Sequence, residues 1–281
     1  MFEHVAILGA GLLGSSLGQA LHERGLARRI TVWARRPETR LALQNEHRWC
    51  SEAYAQPGET VSGADLIVAC TPVEHIVELL RTIAPAVKKG ALVTDVGSVK
   101  SLICRTARDV FPTGIYFVGS HPMAGSEKSG LAHAQPDLYQ DRVGLVTPLI
   151  DTPPAAVEKV VALWQAVGMR VTTLSPEEHD EIVAHISHLP HFLATVLCSY
   201  LASKPARWPA FSGGGLRDTT RVAAGHPVMW REILQQNREE ILRALRGFQD
   251  ELEAFHATVA NEDFFQAAHF LERGKRFRDQ L

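Results

Sequence analysis

Val5-Ala6-Ile7-Leu8-Gly9-Ala10-Gly11-Leu12-Leu13-Gly14 is the stretch on which the fold turns. Its four leading apolar residues show no in/out alternation, which suits a strand buried on both faces of a parallel sheet. A G-x-G-x-x-G pattern is weak alone. Here it follows a strand and opens a helix-length segment, Gly11–Arg24, which is the context a dinucleotide fingerprint requires. Gly9 permits the tight turn, Gly11 lets the backbone approach a pyrophosphate, and Gly14 lets helix and strand pack closely. The N–H groups of the first helical turn, at Leu12 and Leu13, and the positive end of that helix favour phosphate charge.

Working outward, Ile30–Trp33, Leu66–Cys70 and Leu92–Thr94 repeat the apolar run, with helix-length segments such as Glu74–Lys88 between them. Strand-helix-strand order predicts a doubly wound α/β domain. Tyr116–Gly119, Val143–Thr147 and Arg170–Leu174 are expected to extend the same sheet. The second strand ends in Trp33-Ala34-Arg35-Arg36. Sites that prefer NAD place an acid there for the ribose 2′-hydroxyl. Two guanidiniums suit a 2′-phosphate instead, so Arg35 and Arg36 point to NADP. The alternative is that both are solvated loop charges and that NAD also serves. Thr71, Pro72 and Gly97 end later strands, where ligands of parallel sheets bind.

The composition changes near Leu174, dividing the chain into a dinucleotide-binding domain at residues 1–174 and a helical domain at 175–281. Ser175 and Glu178 form a capping box with Pro176 in the first turn. From Pro227, apolar residues recur at helical spacing to Val259, predicting one long amphipathic helix; Asn261 is expected to cap a last one. So long an apolar face predicts helix-to-helix homodimerisation. Trp164, Trp208, Trp230, Phe248 and Phe255 read as packing residues.

The 281 residues carry 46% hydrophobic and 21% charged side chains and a formal charge of −2. No basic field draws the chain to nucleic acid or anionic membrane. No uninterrupted apolar run reaches the ~20 residues of a membrane helix. Cys50, Cys70, Cys104 and Cys198 lie far apart without a CxxC, so reduced thiols in a cytoplasmic protein are expected. His185, His188 and His191 recur every third residue, but such positions rotate around a helix and no acid or cysteine completes a set; no metal is expected.

Polar strings remain: DVGSVK (Asp95–Lys100), GSHPMAGSEKSG (Gly119–Gly130), HDEIVAHISHLPH (His179–His191) and GLRDTTRVA (Gly215–Ala223). With these strings in this order over nearly its whole length, the chain resembles the prephenate and arogenate dehydrogenases. The resemblance implies a Rossmann-type domain followed by an all-helical dimerisation domain. It also implies oxidative decarboxylation of a cyclohexadienol, giving 4-hydroxyphenylpyruvate from prephenate or tyrosine from arogenate. In it His121 matches the catalytic histidine, and Ser98 the serine that bridges substrate hydroxyl, histidine and nicotinamide. The alternative for Ser98, an N-cap of the helix after Gly97, is not exclusive of that role. Arg217 matches the substrate-binding arginine, the alternative being a structural salt bridge with Asp218 or Glu232. His188 and His191 are implied as polar residues of the substrate side, Asp180 as orienting a neighbour, and Ser126 and Glu127 as contributors to the polar network. The chain offers no room for a mutase or regulatory domain, so little regulation by tyrosine through a separate module is expected. The rivals are another Rossmann-plus-helical dehydrogenase or reductase, for which the HPMAG and SHLPH strings have no use, and a non-catalytic NADP sensor.

Overall fold

A computed structural model describes residues 2–125, 128 and 130–281. In chain order the elements begin β1 (Phe2–Leu8), α1 (Leu12–Glu23), β2 (Ala27–Trp33), α2 (Pro37–Glu46), β3 (Glu52–Tyr54), α3 (Pro57–Val61), β4 (Leu66–Ala69) and α4 (Val73–Ile83). There follow β5 (Leu92–Asp95), α5 (Ser101–Val110), β6 (Tyr116–Phe117), β7 (Gly119–Pro122), β8 (Val143–Thr147), α6 (Pro154–Ala166), β9 (Arg170–Thr173) and α7 (Pro176–Val183). The chain closes with α8 (Leu189–Ala202), α9 (Gly214–Thr220), α10 (Pro227–Gln236), α11 (Arg238–Ala260) and α12 (Phe264–Arg278).

Six parallel strands form one sheet in the order β3-β2-β1-β4-β5-β6. Central β1 buries Val5 to Leu8 completely, as its unbroken apolar run requires. The strand order reverses between β1 and β4, which opens a crevice at their carboxyl ends.

Only the Tyr116–Phe117 part of the later runs extends this sheet. β7, β8 and β9 make a separate three-stranded sheet, with β7 antiparallel to β8 and β9 parallel to it. The physical reason lies at the end of β5. Asp95 Oδ1 accepts the Ser120 N–H at 3.1 Å, and Lys100 Nζ donates to the Ser120 carbonyl at 2.9 Å. Buried side chains thus satisfy the backbone groups that a continuing ladder would have used. Trp164 Nε1 donates to Ser120 Oγ at 2.9 Å and fixes α6 beneath the same residue.

The chain divides into two compact units, residues 1–182 with 224–236, and residues 183–223 with 237–281. Ser175 Oγ accepts the Glu178 N–H at 3.0 Å and caps α7, which joins the first unit. The expected helix from Pro227 is broken at Asn237: α10 packs on α4 in the first unit, while α11 belongs to the second. The last helix is capped by Asp263 rather than Asn261; its carboxylate accepts the Gln266 N–H at 3.0 Å. In the second unit α11 packs against α8 and α12, with Phe255 and Phe270 edge-on at 5.6 Å. Trp164 is a core residue at 1% exposure, but Trp208 is 46% exposed.

Candidate active site

Two pieces of chemistry sit on the first unit. One is a cleft of about 730 Å³ at the strand-order reversal, lined by Gly9, Gly11, Arg35, Arg36, Thr71 and Pro72 among others. Gly9 adopts φ +123°, and a side chain there would collide with the Cys70 carbonyl. A methyl group on Gly14 would stand 2.0 Å from the Gly9 carbonyl, whereas one on Gly11 would meet nothing within 4 Å. The turn is therefore closed toward the sheet and open toward the cleft. Leu12 and Leu13 begin α1, and Gly11, its N-cap, leaves the first N–H groups without a side-chain cap. Thr71 Oγ1 is buried with no hydrogen-bond partner among the described residues. An orphaned hydroxyl, uncapped N–H groups and open space over Gly11 fit the diphosphate of a dinucleotide. Arg35 and Arg36 are exposed at the rim, and the Arg40 guanidinium holds the carbonyls of Ala34 and Arg35 at 2.8 Å each. Gly97 lies deeper: its N–H donates to Asp95 Oδ2 at 2.8 Å.

The other is a chain of buried polar side chains ending at His121 on β7. His121 Nδ1 lies 2.9 Å from His179 Nε2, and His179 Nδ1 lies 2.9 Å from Asp180 Oδ1. Asp180 also accepts the backbone N–H groups of Lys100 at 2.7 Å and Ser101 at 2.8 Å. A carboxylate from α7 thereby caps the start of α5, where its charge is favoured by the helix dipole. Burial alone would raise the Asp180 carboxyl; hydrogen bonds from His179, Ser101 and Lys100 outweigh it and hold the group below the usual carboxylate range. Burial pushes the His179 imidazole down, against a smaller upward pull from Asp180. Beside them Lys100 and Asp95, both fully buried, form an ion pair.

Ser98 is half-buried in the loop between β5 and α5. The N-cap position of α5 falls to Lys100, so Ser98 does not cap that helix. Ser126 and Glu127 lie outside the described residues. Three other expected residues belong to the second unit. Arg217 is exposed on α9 and makes no ion pair with Asp218, Glu232 or any other acid among the described residues. His188 and His191 are buried, and His188 Nδ1 lies 3.3 Å from Asn237 Nδ2. Leu189 N–H bonds the Ala184 carbonyl across a π-turn at Ala184–His188, immediately before Pro190, which has no N–H to donate. His185 is exposed, unlike the other two. Among the described residues no group of three His, Cys, Asp or Glu could hold a metal ion.

His179, Lys100 and Asp95 lie inside the sequence motifs but do not stand out there as site residues. Their signal was the juxtaposition of charged and apolar residues in DVGSVK and HDEIVAH. That both strings meet at Ser120 and His121 is a tertiary fact.

Comparison with known proteins settles the family. Residues 17–173 match the nucleotide-binding domain of prephenate dehydrogenase, and residues 175–272 match its dimerization domain. The chain belongs to the prephenate dehydrogenase family. It is an oxidoreductase of the nicotinamide-dinucleotide type. The cyclohexadienyl dehydrogenase of Zymomonas mobilis is 32% identical over 98% of this chain and 95% of its own length. The prephenate dehydrogenase of Aquifex aeolicus, solved with hydroxyphenyl propionate and NAD+, superposes with a TM-score of 0.92 at 28% identity, covering 100% of this chain and 98% of that one. The arogenate dehydrogenase of Synechocystis follows with a TM-score of 0.88, 26% identity and 99% of both chains.

Proposed function

We propose that this chain oxidatively decarboxylates prephenate, arogenate or both, with NADP as hydride acceptor, as a cytoplasmic homodimer. The observation that carries the chemistry is the His121–His179–Asp180 chain, built on the same unit as the dinucleotide cleft. The assignment of NADP rests on Arg35 and Arg36 at the cleft rim and on the lack of an acid at the end of β2. Dimerisation rests on the family of the helical unit and on the apolar side chains it leaves exposed.

When bound, the nicotinamide supplies the acceptor for the hydride from ring C4. His121 takes the proton of the C4 hydroxyl as that bond becomes a carbonyl. The C1–carboxylate bond then breaks, CO2 leaves, and its electron pair completes the aromatic ring. His121 returns the proton to the phenolate oxygen, so the imidazole ends as it began. Ser98 holds the same hydroxyl. Arg217 binds a substrate carboxylate in bidentate fashion, with His188 and His191 as further polar contacts and Gly97, Thr71 and Pro72 lining the cofactor. Gly9 and Gly14 shape the turn that holds the diphosphate.

Steady-state kinetics for the four pairings of prephenate or arogenate with NAD or NADP test this reading. Turnover of at least one substrate is expected, with kcat/KM higher for NADP. His121→Asn should lower kcat by about 10²- to 10⁴-fold with cofactor affinity unchanged. Replacing Arg35 and Arg36 by Ala should lower kcat/KM for NADP about tenfold to a hundredfold and spare NAD. A protein that binds NADPH but turns over neither substrate would refute the activity. Equal losses for both cofactors in the arginine variant would refute the 2′-phosphate assignment.

A further inference from the structure

We infer that His179 and Asp180 act as positioning residues that lock His121 in the tautomer with its proton on Nδ1 and its lone pair on Nε2. The inference rests on the reading of His121 as the base, and it assigns which nitrogen does the work.

The assignment follows donor by donor. Asp180 already accepts two backbone N–H groups, at 2.7 and 2.8 Å, and is only 3% exposed. A group surrounded by donors in that way is an ionised acceptor. Its short contact of 2.9 Å to His179 Nδ1 must likewise be filled by an N–H from His179. His179 is fully buried, and that burial pushes its imidazole down, favouring the neutral ring. A neutral ring with its proton on Nδ1 has an acceptor at Nε2. That acceptor faces His121 Nδ1 at 2.9 Å, so His121 must donate from Nδ1. The basic nitrogen of His121 is then Nε2.

The reverse arrangement fails at the carboxylate. A proton on His179 Nε2 would set the lone pair of Nδ1 against an oxygen of Asp180 with nothing between them. The rings of His121 and His179 are tilted by 60° with centroids 5.1 Å apart, so they meet through their nitrogens and not by stacking. Among the described residues, the ammonium of Lys100 and the carboxylate of Asp95 also act on His179. They pair with each other, and the Asp180 carboxylate opposes the positive charge that reaches the two imidazoles. In the forward step the substrate O–H bond breaks and a His121 Nε2–H bond forms. The Nδ1–H bond to His179 strengthens as the charge arrives, and no proton leaves the pair. An orienting carboxylate behind a catalytic imidazole does comparable work in serine proteases, where its loss yields the wrong tautomer.

Two-bond ¹⁵N–¹H spectra of the full-length chain labelled with ¹⁵N-histidine, at a pH where imidazoles are neutral, read the tautomer directly. His121→Asn identifies the His121 signals among the 13 histidines. The expected pattern is a protonated Nδ1 and an unprotonated Nε2. A protonated Nε2 in the unsubstituted chain would overturn the inference, whatever Asp180→Asn does to folding. Asp180→Asn should lower kcat by about 10²-fold or more while KM changes little, and should shift His121 toward the Nε2–H form. A folded Asp180→Asn protein with full kcat and an unchanged tautomer would also overturn it. Turnover accompanied by the Nε2–H tautomer sinks the relay alone. The Nδ1–H tautomer without turnover of either substrate sinks the activity alone.

Discussion

In the first unit Val5, Ile7, Leu17, Leu66, Val93 and Ile103 are wholly buried; in the second, Phe265 is 88% exposed, Leu271 68% and Phe264 64%. One unit turns its apolar side chains into its own core. The other builds helices of ordinary amphipathic pattern and leaves much of the apolar face uncovered. A sheet covered on both sides by its own crossover helices closes its core by itself. The helices of the second unit leave part of their apolar face exposed, as the proposed dimer requires. The nucleotide cleft and the imidazole chain are accordingly both on the self-sufficient unit, where rigid strand ends hold them.

The sharpest way to break this contrast is to damage each unit in turn. In the first unit the sensitive place is the Lys100–Asp95 pair, buried at 0% exposure for both side chains. Lys100→Ala leaves a carboxylate in the interior without its cation, a change that costs about 3–5 kcal/mol. It also removes the donor to the Ser120 carbonyl, so β7 and His121 should loosen. Denaturant unfolding should show the loss. Lys100→Met combined with Asp95→Asn should recover part of it, because no uncompensated charge remains. A near-neutral Lys100→Ala would show that the pair contributes nothing to the unit.

The second unit should respond in the opposite sense. Leu252 and Val259 lie two turns apart on α11 and are 54% and 48% exposed. Changing both to Glu should barely alter the unfolding of the single chain, since neither contributes to its core. It should weaken self-association by about 10²-fold or more, at roughly 1.5–3 kcal/mol for each buried aliphatic side chain lost. Sedimentation across a concentration series measures this. Unaltered association would move the interface to another face, such as the one bearing Val196 and Tyr200 of α8.

The same contrast explains what could be read from the sequence. Period and punctuation are local, so Val5–Leu8, the glycine turn and the Ser175 cap were legible, and so was the helical character beyond 175. Three features were not. The separate sheet of β7–β9 depends on Asp95 and Lys100 reaching the Ser120 backbone across the fold. The break at Asn237 lies inside a continuous amphipathic pattern; what divides it is that α10 finds α4 while α11 finds α8. The cap on α12 falls at Asp263, because Asn261 and Glu262 close α11 first, Glu262 in the left-handed region at φ +57°. At the site, His121, Asp180 and the glycines stood out by motif. His179 did not, since one histidine beside an aspartate has no meaning until β7 brings a second ring within 2.9 Å.

The smallest expected effect concerns protons. His4 on β1 is 7% exposed and its Nε2 lies 2.8 Å from Thr31 Oγ1, whose own hydroxyl donates to the Thr60 carbonyl. Burial lowers the His4 pKa, and the Arg29 charge lowers it further. The sign follows from linkage: a folded-state value below the ordinary ~6.5 means that the unfolded chain binds more protons as pH falls through 6.5. The stability of the first unit should therefore decline from pH 7 toward pH 5 and level off below the folded-state value of His4. His179 adds to the same slope. Glu232, whose carboxyl is raised by burial and by Glu74, works against it in the acid range. Asp65 and Asp180 join only near pH 4 and below, where their unfolded carboxyls begin to bind protons. His4→Gln keeps a donor for Thr31 but does not titrate, so it should flatten the pH 7-to-5 slope. An unchanged slope would assign the proton uptake to His179, and a stability that rises toward pH 5 would contradict the depression of both imidazoles.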